Sequence, residues 1–320
     1  MKFGLRPMEG GNDFTPTLEQ IEAAEELGFD SVWFAEHYTP DEQWWPTSLL
    51  NLAAVASRTT EIELGSNIIV APFYNPVWLA NAVAMLDVIS EGRFTCGLGV
   101  GYDPTEFEAF DVSLDDRVGR TIETTILLKK LWTQDRVSFD GKHFSVDDYG
   151  IAPQPQQEPR PEIWYGVWGN YLLEQAAKRA DAWIPGAVAS LDVLEEKQAL
   201  YDEHLDGTPA SRPLLRDIVV GETRTKAMER AKEHLDEKYQ IYAGRGHQFF
   251  EDYESDRFEE FARERIIVGT PEECTEGIET YRDALDLDHL IFRFTYPDMD
   301  TEETMETMET IATEVLSAFN

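Results

Sequence analysis

Apolar positions along this chain alternate between two spacings. Short apolar runs at Lys2–Leu5, Asp30–Ala35, Ile62–Val70 and Arg93–Leu98 read as buried strands. Between them the apolar residues recur at helical spacing. The first helix starts near Thr15-Pro16, with Thr15 as N-cap and Pro16 at the first position, and carries Leu18, Ile21, Ala24 and Leu27 on one face. Gly28 closes it. Further helices are predicted over Thr47–Arg58, Val77–Ile89 and Asp116–Trp132. A strand and a helix repeated every ~30 residues mean a parallel sheet with crossover connections. A doubly wound sheet and a closed barrel both satisfy that pattern.

The rhythm breaks between Thr133 and Pro161. Residues 137–149 read as a hairpin turning at Asp140-Gly141, and the prolines from Pro153 to Pro161 make a stiff connection. Strands then resume at Glu162–Tyr165, Asp181–Ile184 and Leu215–Gly221, with helices over Tyr171–Arg179, Leu191–His204 and Thr223–Gln240. Residues 241–265 are aromatic and acidic, either a second packed insertion or a lid. Thr270-Pro271-Glu272-Glu273 is a capping box that opens a helix to Leu285. An eighth strand, His289–Phe294, and a closing helix, Thr301–Phe319, complete the chain. Eight strands in 320 residues favour a (β/α)8 barrel forming one domain, 1–320, with insertions after strands four and seven.

Composition narrows the function. The net charge is −35, from 62 acids against 27 bases, and the acids are spread along the chain. Nucleic-acid binding needs a basic stripe, so it is excluded as a partner. No apolar run is long enough to span a membrane, and MKFGLRPMEGG has no signal-peptide core, so the expected location is cytoplasmic. Cys96 and Cys274 lie in no metal-spacing motif, so neither a metal site nor a disulfide framework is expected.

In such a barrel, chemistry sits at the C-terminal ends of the strands. Of six histidines, His37 directly follows a strongly apolar strand, beside Glu36. An imidazole there either serves in proton transfer or packs as a structural group. Gly97-Leu98-Gly99-Val100-Gly101 has the wrong spacing for a nicotinamide fingerprint, and suits close approach of a flat ligand. Gly166-Val167-Trp168-Gly169-Asn170 leads into a helix whose free N–H groups suit a phosphate; a plain turn fits equally. The aromatic residues Trp44, Trp45, Phe73, Tyr74, Trp78 and Trp168 either line a pocket for a small-molecule substrate or belong to the core.

Several stretches, taken in order, resemble the bacterial-luciferase-like flavin-dependent oxidoreductases, including the branch that uses 8-hydroxy-5-deazaflavin (coenzyme F420). They are GFDSVWFAEHY (28–38), ELGSNIIVAPFYNP (63–76), GRFTCGLGVGYDPTEFEAFDV (92–112), VSFDGKHF (137–144), PQPQQEPRPEIWYGVWG (153–169), AAKRADAW (176–183) and VGTPEE (268–273). The resemblance implies a barrel with FMN or the deazaflavin over the strand ends. It puts His37 and Glu36 by the ring as catalytic groups. Asn67-Ile68 matches a bulge, held by a non-prolyl cis peptide in many members, that backs the ring. Gly101 and Tyr102 would lie near the ring or its chain, and Gly166, Val167, Trp168, Gly169 and Asn170 at the phosphate. The loop lacks the Ser or Thr hydroxyl common in FMN-using relatives, which brings it closer to the deazaflavin branch. The implied activity is a monooxygenase using reduced FMN and O2, or a deazaflavin-dependent hydride transfer; a non-catalytic flavin-binding protein is the third reading. A homodimer and a separate flavin reductase are the partners the resemblance brings in.

The spread of acids generates a prediction of its own. At about 1 M salt the Debye length falls to about 3 Å and surface self-repulsion is screened. Thermal stability should therefore climb steeply between low and molar KCl or NaCl. Full stability at low salt would remove the high-salt reading of this composition.

Overall fold

The structure is a computed structural model that describes residues 1–8, 10–38, 45–244, 249–296 and 299–319. Its main sheet is parallel. Strands β1 (Lys2–Arg6), β2 (Ser31–Phe34), β3 (Glu63–Ser66), β4 (Ile69–Val70) and β5 (Phe94–Gly99) come first. A two-stranded antiparallel hairpin, β6 (Val137–Asp140) with β7 (Ser145–Tyr149), stands apart from it. Strands β8 (Ile163–Tyr165), β9 (Ala182–Trp183), β10 (Pro213–Val220), β11 (Ile267–Gly269) and β12 (His289–Arg293) complete it. The hydrogen-bonded order is β11-β10-β12-β1-β2-β3-β5-β8-β9, with β4 on β5. Just past β9 the chain reaches β10, where Leu215 N–H donates to the Pro185 carbonyl at 3.2 Å. That contact closes the barrel the strand count favours.

Helices cover the outside: α1 (Thr15–Glu26), α2 (Ser48–Ala56), α3 (Pro76–Ile89), α4 (Pro104–Ala109), α5 (Arg117–Leu131) and α6 (Asn170–Arg179). They continue with α7 (Leu191–Glu203), α8 (Arg224–Gly244), α9 (Phe258–Arg263), α10 (Pro271–Leu285) and α11 (Thr301–Thr310). No described helix is long and apolar enough to cross a membrane. Thr270 and Glu273 form the expected capping box at α10. Gly28 follows α1 at φ +85°. The start of α1 differs from expectation: Phe14 is the N-cap, without a side-chain cap, and Asp13 accepts the Thr15 N–H instead.

Alternation along the strands gives two cores. Outward residues such as Leu5, Val32, Phe34, Leu64, Cys96 and Leu98 pack under the helices. Inward residues fill the lumen: Trp33 stacks on Trp164 at 4.8 Å, and His289 meets both rings edge-on at 5.7 Å. Burial pushes His289 down to about 3, so the plug is neutral. Gly65 leaves room for Trp33, whose ring would lie 2.1 Å from a Cβ there. The aromatics of 241–265 pack as a cluster of their own: Phe250, Tyr253 and Phe258 are buried with Tyr239 of α8.

Near the opposite end of the lumen, Asp217 and Arg293 sit side by side in register and form a buried bidentate pair at 2.5 and 2.6 Å. Removing one partner strands a charge, which costs about 3–5 kcal/mol, whereas apolar replacement of both is far milder. Asp217→Ala should therefore lower the denaturant midpoint sharply, and the double variant Asp217→Leu/Arg293→Met should recover most of the loss. Equal loss in both would contradict this.

Candidate active site

The strand ladder breaks where the sequence stretch 62–76 is expected to bulge. A cis peptide joins Asn67 to Ile68, between β3 and β4. Before the break, Asn67 N–H donates to the Phe34 carbonyl at 2.7 Å. On the other side, Ser66 Oγ donates to the Gly97 carbonyl and accepts the Gly97 N–H, both at 2.9 Å. Pairing with β5 resumes at Ile69 and Val70. The Ile68 side chain occupies space left by two glycines. A Cβ at Gly99 would come 2.4 Å from its Cδ1, and one at Gly166 2.6 Å from its Cγ2. Asn67 Nδ2 is buried with no hydrogen-bond partner among the described residues. A buried unpaired amide is costly, so this donor is suited to an acceptor on a bound molecule.

His37 lies at the same mouth. Its Nδ1 is 3.4 Å from Glu106 Oε1, and its ring meets Tyr102 edge-on at 6.2 Å. Glu106 is buried and also accepts the Tyr38 N–H at 2.6 Å. Helix α4 brings it there. Asp103 caps this helix by accepting the Thr105 N–H, Pro104 takes its first turn, and Phe107 and Phe110 pack on Phe73. Glu106 was missed in the sequence reading, although Asp-Pro is a recognisable helix start. Tyr102 is 64% exposed and Gly101 has φ +70°, a backbone that favours glycine.

Glu36 points the other way. It is 2% exposed, and its carboxylate accepts Val70 N–H at 3.1 Å, Tyr74 O–H at 2.8 Å and Ser48 O–H at 3.3 Å. Tyr38 and Tyr74 hydroxyls are 2.9 Å apart. Burial pushes Glu36 up to about 7, against the pull of those three donors. Burial with Glu36 nearby also raises both tyrosines, Tyr38 to about 12, so they remain O–H donors at neutral pH.

The loop 166–170 divides. Val167 is buried, and its carbonyl accepts from Trp183 Nε1 at 2.8 Å. Trp168 packs edge-on against Trp183 and Phe249. Gly169 is the N-cap of α6, with no side-chain cap, so the first N–H groups of the helix are presented outward. Asn170 Oδ1 accepts from Lys197 Nζ at 2.9 Å, which puts a cation, itself 3.5 Å from Glu196 Oε1, at that helix start. Neither the charge nor the distance was legible in the sequence. This uncapped N-terminus, a nearby ammonium and an unpaired amide at Asn67 together fit a flat ligand with a phosphate tail.

Of the aromatics set aside for a pocket, Trp45 packs edge-on against Phe14, Phe73 stacks on Phe110, and Trp78 is half exposed on Tyr74. Trp44 lies outside the described residues. A cavity of about 420 Å³ opens at the opposite, N-terminal mouth, lined by Lys2, Glu63, Arg93, Glu162, Asp288 and His289 among others. Its cations are already engaged. Lys2 pairs with Glu63, and Arg93 donates to the carbonyls of Ala56, Thr59, Ile62 and Ser90. Strand-end logic and the Asn67 donor favour the C-terminal mouth.

Comparison with known proteins supplies the family. The sequence model of the luciferase-like monooxygenase family matches residues 1–288. An F420-dependent glucose-6-phosphate dehydrogenase of Amycolatopsis mediterranei (strain U-32) is 26% identical over 298 residues, 86% of this chain and 87% of that one. The oxygenase component of a flavin-dependent trigonelline monooxygenase from Acinetobacter baylyi is 33% identical over 149 residues, 46% of this chain and 41% of that one. The crystal structure of monooxygenase RslO1 from Streptomyces bottropensis superposes with a TM-score of 0.85 over all of both chains, at 24% identity, a likeness of fold.

The raised Glu36 carboxyl sets a pH dependence. It binds a proton more readily folded than unfolded, so its contribution to stability is complete below about pH 4.5 and is lost as pH rises through about 7. Glu36→Gln cannot titrate. The melting-temperature difference, wild type minus Glu36→Gln, should fall across that window; a flat difference would contradict the assignment.

Proposed function

The chain belongs to the luciferase-like monooxygenase family, and from that premise we propose an oxidoreductase working with FMN and O2 on a small organic substrate. The observation that carries the reading is the bulge at Asn67–Ile68, with its unpaired buried amide, at the strand ends where His37 also lies. In this reading Asn67, Ile68, Gly101 and Tyr102 meet the ring. The backbone at Gly169 and Asn170, with Lys197, meets the phosphate, while Gly166 makes room for Ile68 and Val167 and Trp168 support the loop from the core. When bound, the cofactor supplies the electron pair. His37, oriented through Nδ1 by Glu106, moves the accompanying proton at its imidazole. Phe73, Phe107 and Phe110 pack with Tyr38, whose N–H donates to the same Glu106.

A second reading replaces FMN by coenzyme F420 and oxygen chemistry by hydride transfer. The loop 166–170 favours it, since it offers backbone and Asn170 but no hydroxyl. The F420-dependent relative that spans most of the chain supports it as well. A homodimer, and for the FMN version a separate flavin reductase as electron supplier, complete the proposal.

Spectral titration of the purified protein with FMN and with F420 tests both readings. One cofactor should bind with a shifted absorption band, and turnover should require O2 if it is FMN and ignore it if it is F420. His37→Ala should retain cofactor binding and lower kcat by about 10²–10⁴-fold. Binding of neither cofactor would overturn the proposal, and full turnover by His37→Ala would remove the role given to that residue.

A further inference from the structure

We propose that Glu36 is a positioning residue, not a catalytic one: its carboxyl group stands in for the backbone that β2 fails to offer β4, and so holds the Asn67–Ile68 bulge in place. Its consequence for the cofactor rests on the reading of the site given above. Pairing of β2 with β3 ends at Phe34 and Ser66, with Asn67 N–H on the Phe34 carbonyl as the last link. Beyond it, β4 pairs with β5 on one side. On the other side the Val70 N–H, in a residue 3% exposed, is taken by Glu36 Oε1. A buried amide left unpaired costs about 1–3 kcal/mol, enough to shift a local structure.

The second carboxyl oxygen extends the clamp. Oε2 accepts from Tyr74, just past the turn Ala71–Phe73, and from Ser48 at the start of α2. Because Tyr74 donates to Glu36, Tyr38 donates to Tyr74, and the three oxygens form one directed chain. One side chain thus ties the end of β2 to β4, to the turn that follows it and to a helix start. Continuing the strand alternation, Glu36 follows Val32 and Phe34 toward the helices, so it faces α2 and not the lumen. A group there supports the platform without touching a substrate. Glutamine keeps an oxygen for Val70 and an amide that both hydroxyls can turn to meet; alanine keeps neither.

The test compares wild type, Glu36→Gln and Glu36→Ala by hydrogen exchange in the cofactor-free protein and by titration with FMN and F420. Glu36→Ala should speed exchange in the peptide spanning 66–71 by about tenfold or more, leave peptides from α10 and β12 unchanged, and weaken cofactor binding by about tenfold. Glu36→Gln should stay within about threefold of wild type in exchange, affinity and kcat. Wild-type exchange over 66–71 in Glu36→Ala overturns the proposal. So does a Glu36→Gln protein that keeps wild-type exchange and affinity yet loses turnover, which would make the carboxyl catalytic. If Glu36→Ala does not fold, Glu36→Gln decides by the same criteria. A wild type that binds neither cofactor refutes the functional reading, while the exchange comparison still judges Glu36.

Discussion

Buried backbone groups must find partners, and this constraint shapes the molecule most where the third barrel strand breaks. The ladder of β3 stops at Ser66 and pairing resumes in β4 at Ile69, on either side of the Asn67–Ile68 bond. The Phe34 carbonyl takes the last backbone link before it, and two side chains carry the pairing further: the Ser66 hydroxyl and the Glu36 carboxyl. Space for the displaced Ile68 side chain comes from Gly99 and Gly166 on the next two strands. Thus residues far apart in sequence serve one local geometry. The amide nitrogen of Asn67 is left without a hydrogen-bond partner among the described residues.

The same economy governs charge. The chain carries −35 overall, yet the groups near the mouth are arranged singly and with care. Glu106 orients His37, Lys197 stands at the uncapped start of α6, and the buried pair Asp217–Arg293 cancels itself. An anionic ligand approaching so acidic a protein is helped by these local features and by screening from salt. The acidic exterior and the site's local cation are therefore compatible.

Much of this was legible in the sequence, for physical reasons. Period-two and period-3.6 patterns reflect burial directly, so the barrel strands and most helices could be read off. His37 stands out by its place after an apolar strand, and the bulge through a family resemblance that depends on order and spacing. Other features depend on direction, which patterns encode weakly. The resemblance puts Glu36 beside the ring with His37; adjacent residues at a strand end face opposite sides, and the Glu36 carboxyl meets Val70, Tyr74 and Ser48. Val167 is core for the same reason. Glu106 sits on a helix of one and a half turns, too short for periodicity to show, and Lys197 reaches the α6 start from α7 through tertiary packing alone. Strand β11 was also unseen, since three residues between α9 and a capping box carry no period.

The central claim is that the broken third strand is the platform on which a flat redox cofactor rests. Hydrogen exchange with and without the cofactor that binds tests this most directly, because the two mouths of the barrel report separately. The account predicts new protection over 66–71, 99–102 and 169–172. Protection confined to the other mouth, at residues 92–95, 162–164 and 288–289, would contradict it.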